Sequence, residues 1–578
     1  MRYQKLLIFF LLSWTATTAV VAQVPDTAQV VLPDLAPREV EIRGTLEIAF
    51  PSLQRQPLIG FNPPPLVPQI PPDRQPYIEP YRQAAASPAP VARQRPQPPS
   101  IATIGRGHPA NGLFESTLGR YLTRTFNGFL EYSLNEKVTP YAALIYTGSS
   151  GFQPFAARPE VATPYDLLTT RTGLIYTGRL QATLEVGGAF HSYRLYGLVR
   201  ELLYSAPRRE NQSGYVVFHL APTVQDDLEG YLKLRLSSSR YATTYPAGFF
   251  RRTRATEVAT LERRLDLNGV FSYPLATGTL HFNLQGHIAG VNPQAFLESD
   301  VRSIAVGFAW QFAPAPTLQL QIGGRLLGLK ATPTGTRALY LSPLVELTLF
   351  PAPGTRLYIR QRPSLQAYRL DELLQEIPVL DDHIMPQPAL RSIDLEAGGE
   401  FFLGVFRLRT AAGFVEAPLE RYAYRRRRSF APVAPVTWLS YARQRRFYAD
   451  GEASLTLPSG LQGSLGLRLQ HVVLTETNQL SSYEPGVQAH LLLSYRFARQ
   501  RGFIQVLGRY EGVRYAALNS QYRLPPYLDL DLQTTYQLTP AIGLVVRLEN
   551  LAPARYRTRW FDYPEPAAIL SAGMRIRW

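Results

Sequence analysis

From Leu570 to the last residue the chain alternates without a break. Leu570, Ala572, Met574, Ile576 and Trp578 fall on one face, and Ser571, Gly573, Arg575 and Arg577 on the other. Successive side chains of a strand point to opposite sides, so this pattern is a strand with one dry face and one wet face. The same rhythm runs far upstream. Leu528, Leu530, Leu532, Thr534 and Tyr536 oppose Asp529, Asp531, Gln533 and Thr535, and Ile542, Leu544, Val546 and Leu548 oppose Gly543, Arg547 and Glu549. Leu232, Leu234 and Leu236 oppose Lys233, Arg235 and Ser237. Phe282, Leu284 and Ile288 oppose His281, Asn283, Gln285 and His287, and Leu318, Leu320 and Ile322 oppose Gln319 and Gln321.

A soluble sandwich alternates too. Three features oppose it. The repeating units are roughly 10–15 residues long, against about five or six for a globular strand, and they match a tilted strand that crosses a bilayer. Many polar faces carry charge near mid-strand, as a wet lumen allows. The connections alternate strictly between short and long. Short ones are Asn135–Val138, Val224–Asp227, Pro274–Gly278, Ala313–Pro316, Pro351–Gly354, Leu457–Gly460 and Gln537–Ala541. Long ones lie near 150–165, 197–212, 241–254, 366–390, 416–439 and 551–566. Short periplasmic turns with long extracellular loops mark an outer-membrane barrel. Hydrocarbon offers backbone groups no partners, so a spanning sheet must close on itself. The expected fold is therefore all-β: a transmembrane antiparallel β-barrel over residues 101–578. Counting back from the last strand gives about 21 strands, and a weaker first strand near Ile101–Leu113 makes 22, within a range of 16 to 22.

Composition agrees. Charged residues are 18%, aromatics 11%, and mean hydropathy is −0.11, too polar for a bundle of membrane helices. With no cysteine there are no disulfides, thiolate metal sites or cysteine nucleophiles. The net charge of +16 comes almost wholly from arginines spread through strands and loops, so no nucleic-acid partner is expected.

Residues 1–22 read as a signal peptide. Arg2 and Lys5 supply the positive start, Leu6 to Leu12 the apolar core, and Val20-Val21-Ala22 the small residues before a cut ahead of Gln23. Residues 23–100 form a proline-rich periplasmic or lumenal segment. The stretch 24–100 holds 18 of the 49 prolines, which favour extended backbone over ladders. Arg38–Arg43 alternates and is the one strand-like piece there.

The closing region, Leu528–Trp578, resembles that of TonB-dependent receptors. The residues that carry the resemblance are Leu528-Asp529-Leu530, Val546-Arg547-Leu548-Glu549-Asn550-Leu551, Tyr556 and Trp560-Phe561-Asp562-Tyr563-Pro564-Glu565-Pro566. Pro386–Leu390 leading into Ser392–Gly398 is similar to another of the family's steps before a descending strand. Family members carry a folded N-terminal plug, and residues 23–100 show no plug signature, so the chain resembles the plugless, Bacteroidetes-type barrels. The resemblance implies a receptor or transporter that binds a ligand through extracellular loops and passes it through the lumen. The alternative is a structural or assembly barrel that docks periplasmic or surface proteins. It also implies that the terminal Trp578 is the signal read by the barrel assembly machinery, and that TonB or another periplasmic protein engages residues 23–100. An open barrel of this size would be a hole. The proline-rich segment, the long loops or a partner must fill it.

No catalytic or cofactor chemistry is expected. The chain has no His-Glu-x-x-His, Gly-x-Ser-x-Gly or P-loop, and His281 and His287 lie about 20 Å apart along one strand, too far to share a metal. Two charged loops remain. The run Arg425-Arg426-Arg427-Arg428 suits an anionic ligand or the phosphates of lipopolysaccharide, because each guanidinium offers a fork of donors. It equally suits a solvated loop. Asp381-Asp382 with Asp371 and Glu372 could form an external acidic site for a cation, though a solvated loop is the plainer reading.

Overall fold

The computed structural model describes residues 110–578, apart from 200–204, 223–228, 248–255, 294–298, 333–334, 383, 427–435 and 519–521. The signal peptide, the proline-rich segment with Arg38–Arg43, and the start of the expected first strand lie outside these residues.

Twenty-two long strands pair antiparallel, each with its neighbour in sequence. They are β1 (Ala110–Gly119), β2 (Thr123–Tyr132), β3 (Val138–Ser149), β4 (Tyr165–Thr177), β5 (Leu180–Arg194), β6 (Arg208–Pro222) and β7 (Glu229–Tyr245). Next come β8 (Thr256–Leu275), β9 (Gly278–Pro293), β10 (Ser299–Ala315), β11 (Leu318–Ala331), β12 (Thr336–Ala352) and β13 (Thr355–Gln361). After a long connection follow β14 (Ile393–Leu403), β15 (Phe406–Arg426), β16 (Val436–Thr456), β17 (Leu461–Leu474), β18 (Val487–Phe497) and β19 (Gly502–Glu511). The set ends with β20 (Tyr527–Gln537), β21 (Ile542–Glu549) and β22 (Ile569–Arg577). β22 then pairs with β1, with Glu115 opposite Arg575 and Gly119 opposite Ser571, and the barrel is closed. No helix among the described residues is long and apolar enough to cross a membrane; the strands do so.

The barrel is inside out relative to a soluble protein. Leu236, Ile288, Ile322, Leu544, Leu570 and Met574 are exposed on its outer face. On the other face stand Arg235, His287, Gln321, Arg547 and Arg575, with Gly and Ala between them. The phase of every strand named from the sequence is the phase observed. A lone carboxylate ties the seam. Glu115, buried on the inner face of β1, pairs with Arg547 of β21 and with Arg575 of β22 at 2.5 Å, and accepts from Asn127 of β2 at 3.3 Å. Trp578 completes the closure. Its backbone exchanges two hydrogen bonds with Gly112, at 2.9 and 3.2 Å. Its ring lies where a side chain at 112 would be, since a Cβ there would meet the indole at 2.0 Å.

Of the expected first strand near 101–113, the described part is strand, in an element that runs Ala110–Gly119. The alternation of short and long connections is not strict. The outer-end connections 120–122, 294–298 and 332–335 are short. The expected loop near 416–439 is mostly strand, because β15 and β16 each run 21 residues and rise as one long hairpin. A register shift between Ala417 and Glu420 breaks the alternation there and hides the strand.

Candidate functional site

The connection 362–392, from β13 to β14, folds inward. Its two ends zip together as a short ladder, Ser364–Gln366 against Ala389–Arg391. Leu365 and Leu390, at the centre of that ladder, are buried against Ala305 of β10 and Leu327 of β11. Between the ladder strands lies a helix, α1 (Leu370–Glu376). Its Leu370, Leu373 and Leu374 recur at one-turn spacing and are buried with Tyr241 of β7, Ala423 of β15 and Tyr563 of the 550–568 loop. Glu262 of β8 caps the helix start by accepting from the Leu370 N–H at 2.9 Å, and Asp371 and Glu372 fill the first turn, where acid suits the dipole.

Main-chain carbonyls in a tight loop need donors. Three arginines of the wall supply them. Arg209 of β6 donates to Pro378 O at 3.0 Å and Leu380 O at 2.7 Å. Arg264 of β8 donates to Tyr368 O at 2.6 Å and Ala367 O at 3.3 Å. Arg325 of β11 donates to Pro363 O at 2.9 Å. The loop thus reaches from β13 past β11 and β8 to β6, and Tyr193 of β5 adds a bond to Pro378 O at 2.8 Å. From β5 to β13 is nine strands of twenty-two, more than a third of the way round.

The tightest point is Asp382. Its carboxylate accepts from Arg209 at 2.9 Å, Thr243 at 2.7 Å and Tyr241 at 3.3 Å, and from Tyr245. Arg209 is 1% exposed and Asp382 3%. An acidic external site for a cation, one reading of Asp371, Glu372, Asp381 and Asp382, is therefore replaced: Asp382 is an internal anchor, already neutralised by an arginine. Among the described residues no group of acidic or histidine side chains could hold a metal ion. On the far side, Arg391 pairs with Glu420 of β15 at 2.8 Å, and Tyr368 donates to Glu420 at 3.1 Å. Burial raises the Tyr368 hydroxyl well above its ordinary range, and the Glu420 carboxylate pushes the same way, so it stays a donor.

The outer loops interlock above this bridge. Tyr196 donates to Pro564 O at 2.9 Å and its ring lies 4.9 Å from that of Tyr563. Tyr563 fills the space a side chain at Gly197 would take. Val161, Leu195, Leu198, Ala206 and Tyr245 form a second buried cluster that joins the 150–164 and 195–207 loops to β7. Arg425 sits in the same interlock. It pairs with Asp562 at 3.2 Å, and its guanidinium lies 3.7 Å from the Phe561 ring centre and 4.4 Å from that of Tyr522. Arg426 is the last residue of β15, while Arg427 and Arg428 lie outside the described residues. His281 bonds Ser272 and Gln311, and His287 bonds Asp266, both on the inner face.

Sequence reasoning missed Arg209, Arg264 and Arg325. The available signal was their place on the inward face of strands, where a charge needs a partner; which partner was not readable.

No family model and no curated protein matches the chain. Solved structures do. The FrpB iron transporter from Neisseria meningitidis aligns with a TM-score of 0.63 at 11% identity, covering 82% of this chain and 82% of that one. The ferric enterobactin receptor PfeA from Pseudomonas aeruginosa aligns at 0.61 and 13%, covering 82% of each. The copper transporter OprC aligns at 0.60 and 11%, covering 81% and 80%. All three are described as transporters or receptors. At these identities the likeness is one of fold. The fold is that of the TonB-dependent outer-membrane receptors that the closing region resembles.

Proposed function

Starting from a 22-stranded outer-membrane barrel with the fold of TonB-dependent receptors, we propose that the protein is a gated receptor or transporter. A ligand enters through the long external loops and passes through the lumen when the 362–392 loop moves. The observation that carries this reading is the bridge from β13 to β6, held by arginines bonded to loop carbonyls. Such bonds can be exchanged for water one at a time. The neighbours described as iron and copper transporters and as a ferric enterobactin receptor make a metal chelate the first cargo to try. An anionic chelate would suit the Arg425–Arg428 run. Arg425 itself is engaged with Asp562.

In this reading residues 1–22 are removed on export. Residues 23–100 are a periplasmic or lumenal arm that takes TonB or another periplasmic protein. Trp578 is read by the assembly machinery. The contacts among the described outer-loop residues also support a second reading, a non-transporting barrel whose interlocked loops dock a surface partner.

The test is single-channel conductance in planar bilayers, comparing the chain from Gln23 with one that also lacks 23–100. A large pore opened by the deletion would make the arm a minimal plug and move the gate from the 362–392 loop to residues 23–100. If both are closed and no chelate is taken up by cells carrying the protein, the docking reading wins.

A further inference from the structure

On the outer wall of the barrel, three cations stand side by side. Arg302 of β10 lies opposite Lys330 of β11, and Lys330 lies opposite Arg337 of β12. Directly opposite residues on neighbouring strands have Cβ atoms about 5 Å apart, and like charges so placed repel. All three are exposed, and they point outward: Val301, Ser303, Leu329 and Ala331, which alternate with them, are buried on the inner side. Arg263 of β8 stands exposed one row further out, on the same face. The one carboxylate among them is Asp300, 2.9 Å from Arg302. Among the described residues neither Lys330 nor Arg337 has an ion-pair partner.

Their height on the wall is the second observation. The next outward row toward the short turns is Ile304, Gly328 and Leu339, then Val306, Leu326 and Leu341. Below these come Phe308, then Trp310, Ile322 and Val345, with Phe312 and Leu320 lowest. Leu339 and Leu341 are 71% and 80% exposed, as side chains that meet lipid must be. From Arg302 to Phe312 is ten residues, about 34 Å along a strand and about 25 Å along the normal at a tilt near 40°, which is the height of an apolar band. The cation row therefore sits at the upper edge of the hydrocarbon, on the side of the long loops, with the aromatic girdle at the lower edge.

We propose that Arg302, Lys330 and Arg337 bind the phosphate groups of a phosphorylated glycolipid of the outer leaflet, whose acyl chains lie on Ile304, Leu326, Leu339 and Leu341. The ligand chemistry follows from the arrangement. A phosphate accepts several charged donors at once and cancels the cross-strand repulsion, and the apolar rows directly beneath require that it be attached to chains. The site is separate from the Arg425–Arg428 run and independent of transport.

The test is native mass spectrometry of the detergent-purified protein incubated with bisphosphorylated lipid A or with the same lipid after removal of both phosphates. The wild type should retain the bisphosphorylated lipid at least tenfold better than the phosphate-free one. The triple variant R302Q/K330Q/R337Q should lose that preference. Its folding is verified by an unchanged gel shift on heating, and the single variant K330Q, with a partial loss, stands in if the triple variant does not fold. Equal retention of the two lipids by the wild type, or an undiminished preference in a folded variant, would overturn the proposal.

Discussion

Among single residues, Asp382 and Arg209 anchor the inward loop to the wall. Each is almost wholly buried, and each completes the other's bonds. Removing one partner of a buried pair costs about 3–5 kcal/mol, because the other charge is left stranded. Asp382→Asn should therefore loosen the 362–392 loop and not the barrel. Hydrogen exchange at the amides of α1 should rise by two orders of magnitude or more while amides of β7 and β8 keep their protection. Exchange that rises equally in the strands would show that Asp382 supports the wall instead. Tyr368 adds a pH dependence. Its folded pKa is raised, so its contribution is full below about pH 10, the ordinary tyrosine value, and falls as pH climbs toward the folded value. Alkaline loosening of the loop should be smaller in Tyr368→Phe, read by the same exchange measurement. The seam makes a third case. Glu115→Gln strands Arg547 and Arg575 on the inner face, and the folded barrel should convert to the unfolded gel form in detergent at a lower temperature.

At the scale of elements, strand phase was legible because lipid enforces it. A slip of one residue in β21 would turn Ile542, Leu544 and Val546 into the lumen and Arg547 into hydrocarbon. Where the strands rise beyond the bilayer that constraint ends, and the reading failed there. In β15 the run from Glu416 to Arg426 is strand, yet it has a shifted register and polar residues on both faces. The inward loop was illegible for another reason. Asp382 and Arg209 are 173 residues apart, and no local pattern couples them. Equally hidden was the seat of the last residue. Gly112 leaves room for the Trp578 ring, and no sequence rule assigns a glycine to a terminus far away in the chain. Gly112→Val should lower the fraction of protein that reaches the folded form in the membrane about as much as Trp578→Ala does. If only the tryptophan substitution matters, the ring acts through recognition during assembly and not through packing.

For the whole molecule, the barrel supplies a wide wall and the chain's own loops supply the bridge across it. The wall tolerates water and charge on its inner face, so a loop can be held there by arginines and a buried carboxylate and need not be part of one continuous core. In the proposed function residues 362–392 close the lumen. The direct measurement is single-channel conductance of a chain lacking 23–100 in which 366–389 is replaced by a short glycine-serine linker, beside the same chain with the loop intact. We expect a several-fold larger conductance, in the nanosiemens range of wide barrels, when the loop is shortened. Equal conductance in the two, with both barrels folded, would contradict the account.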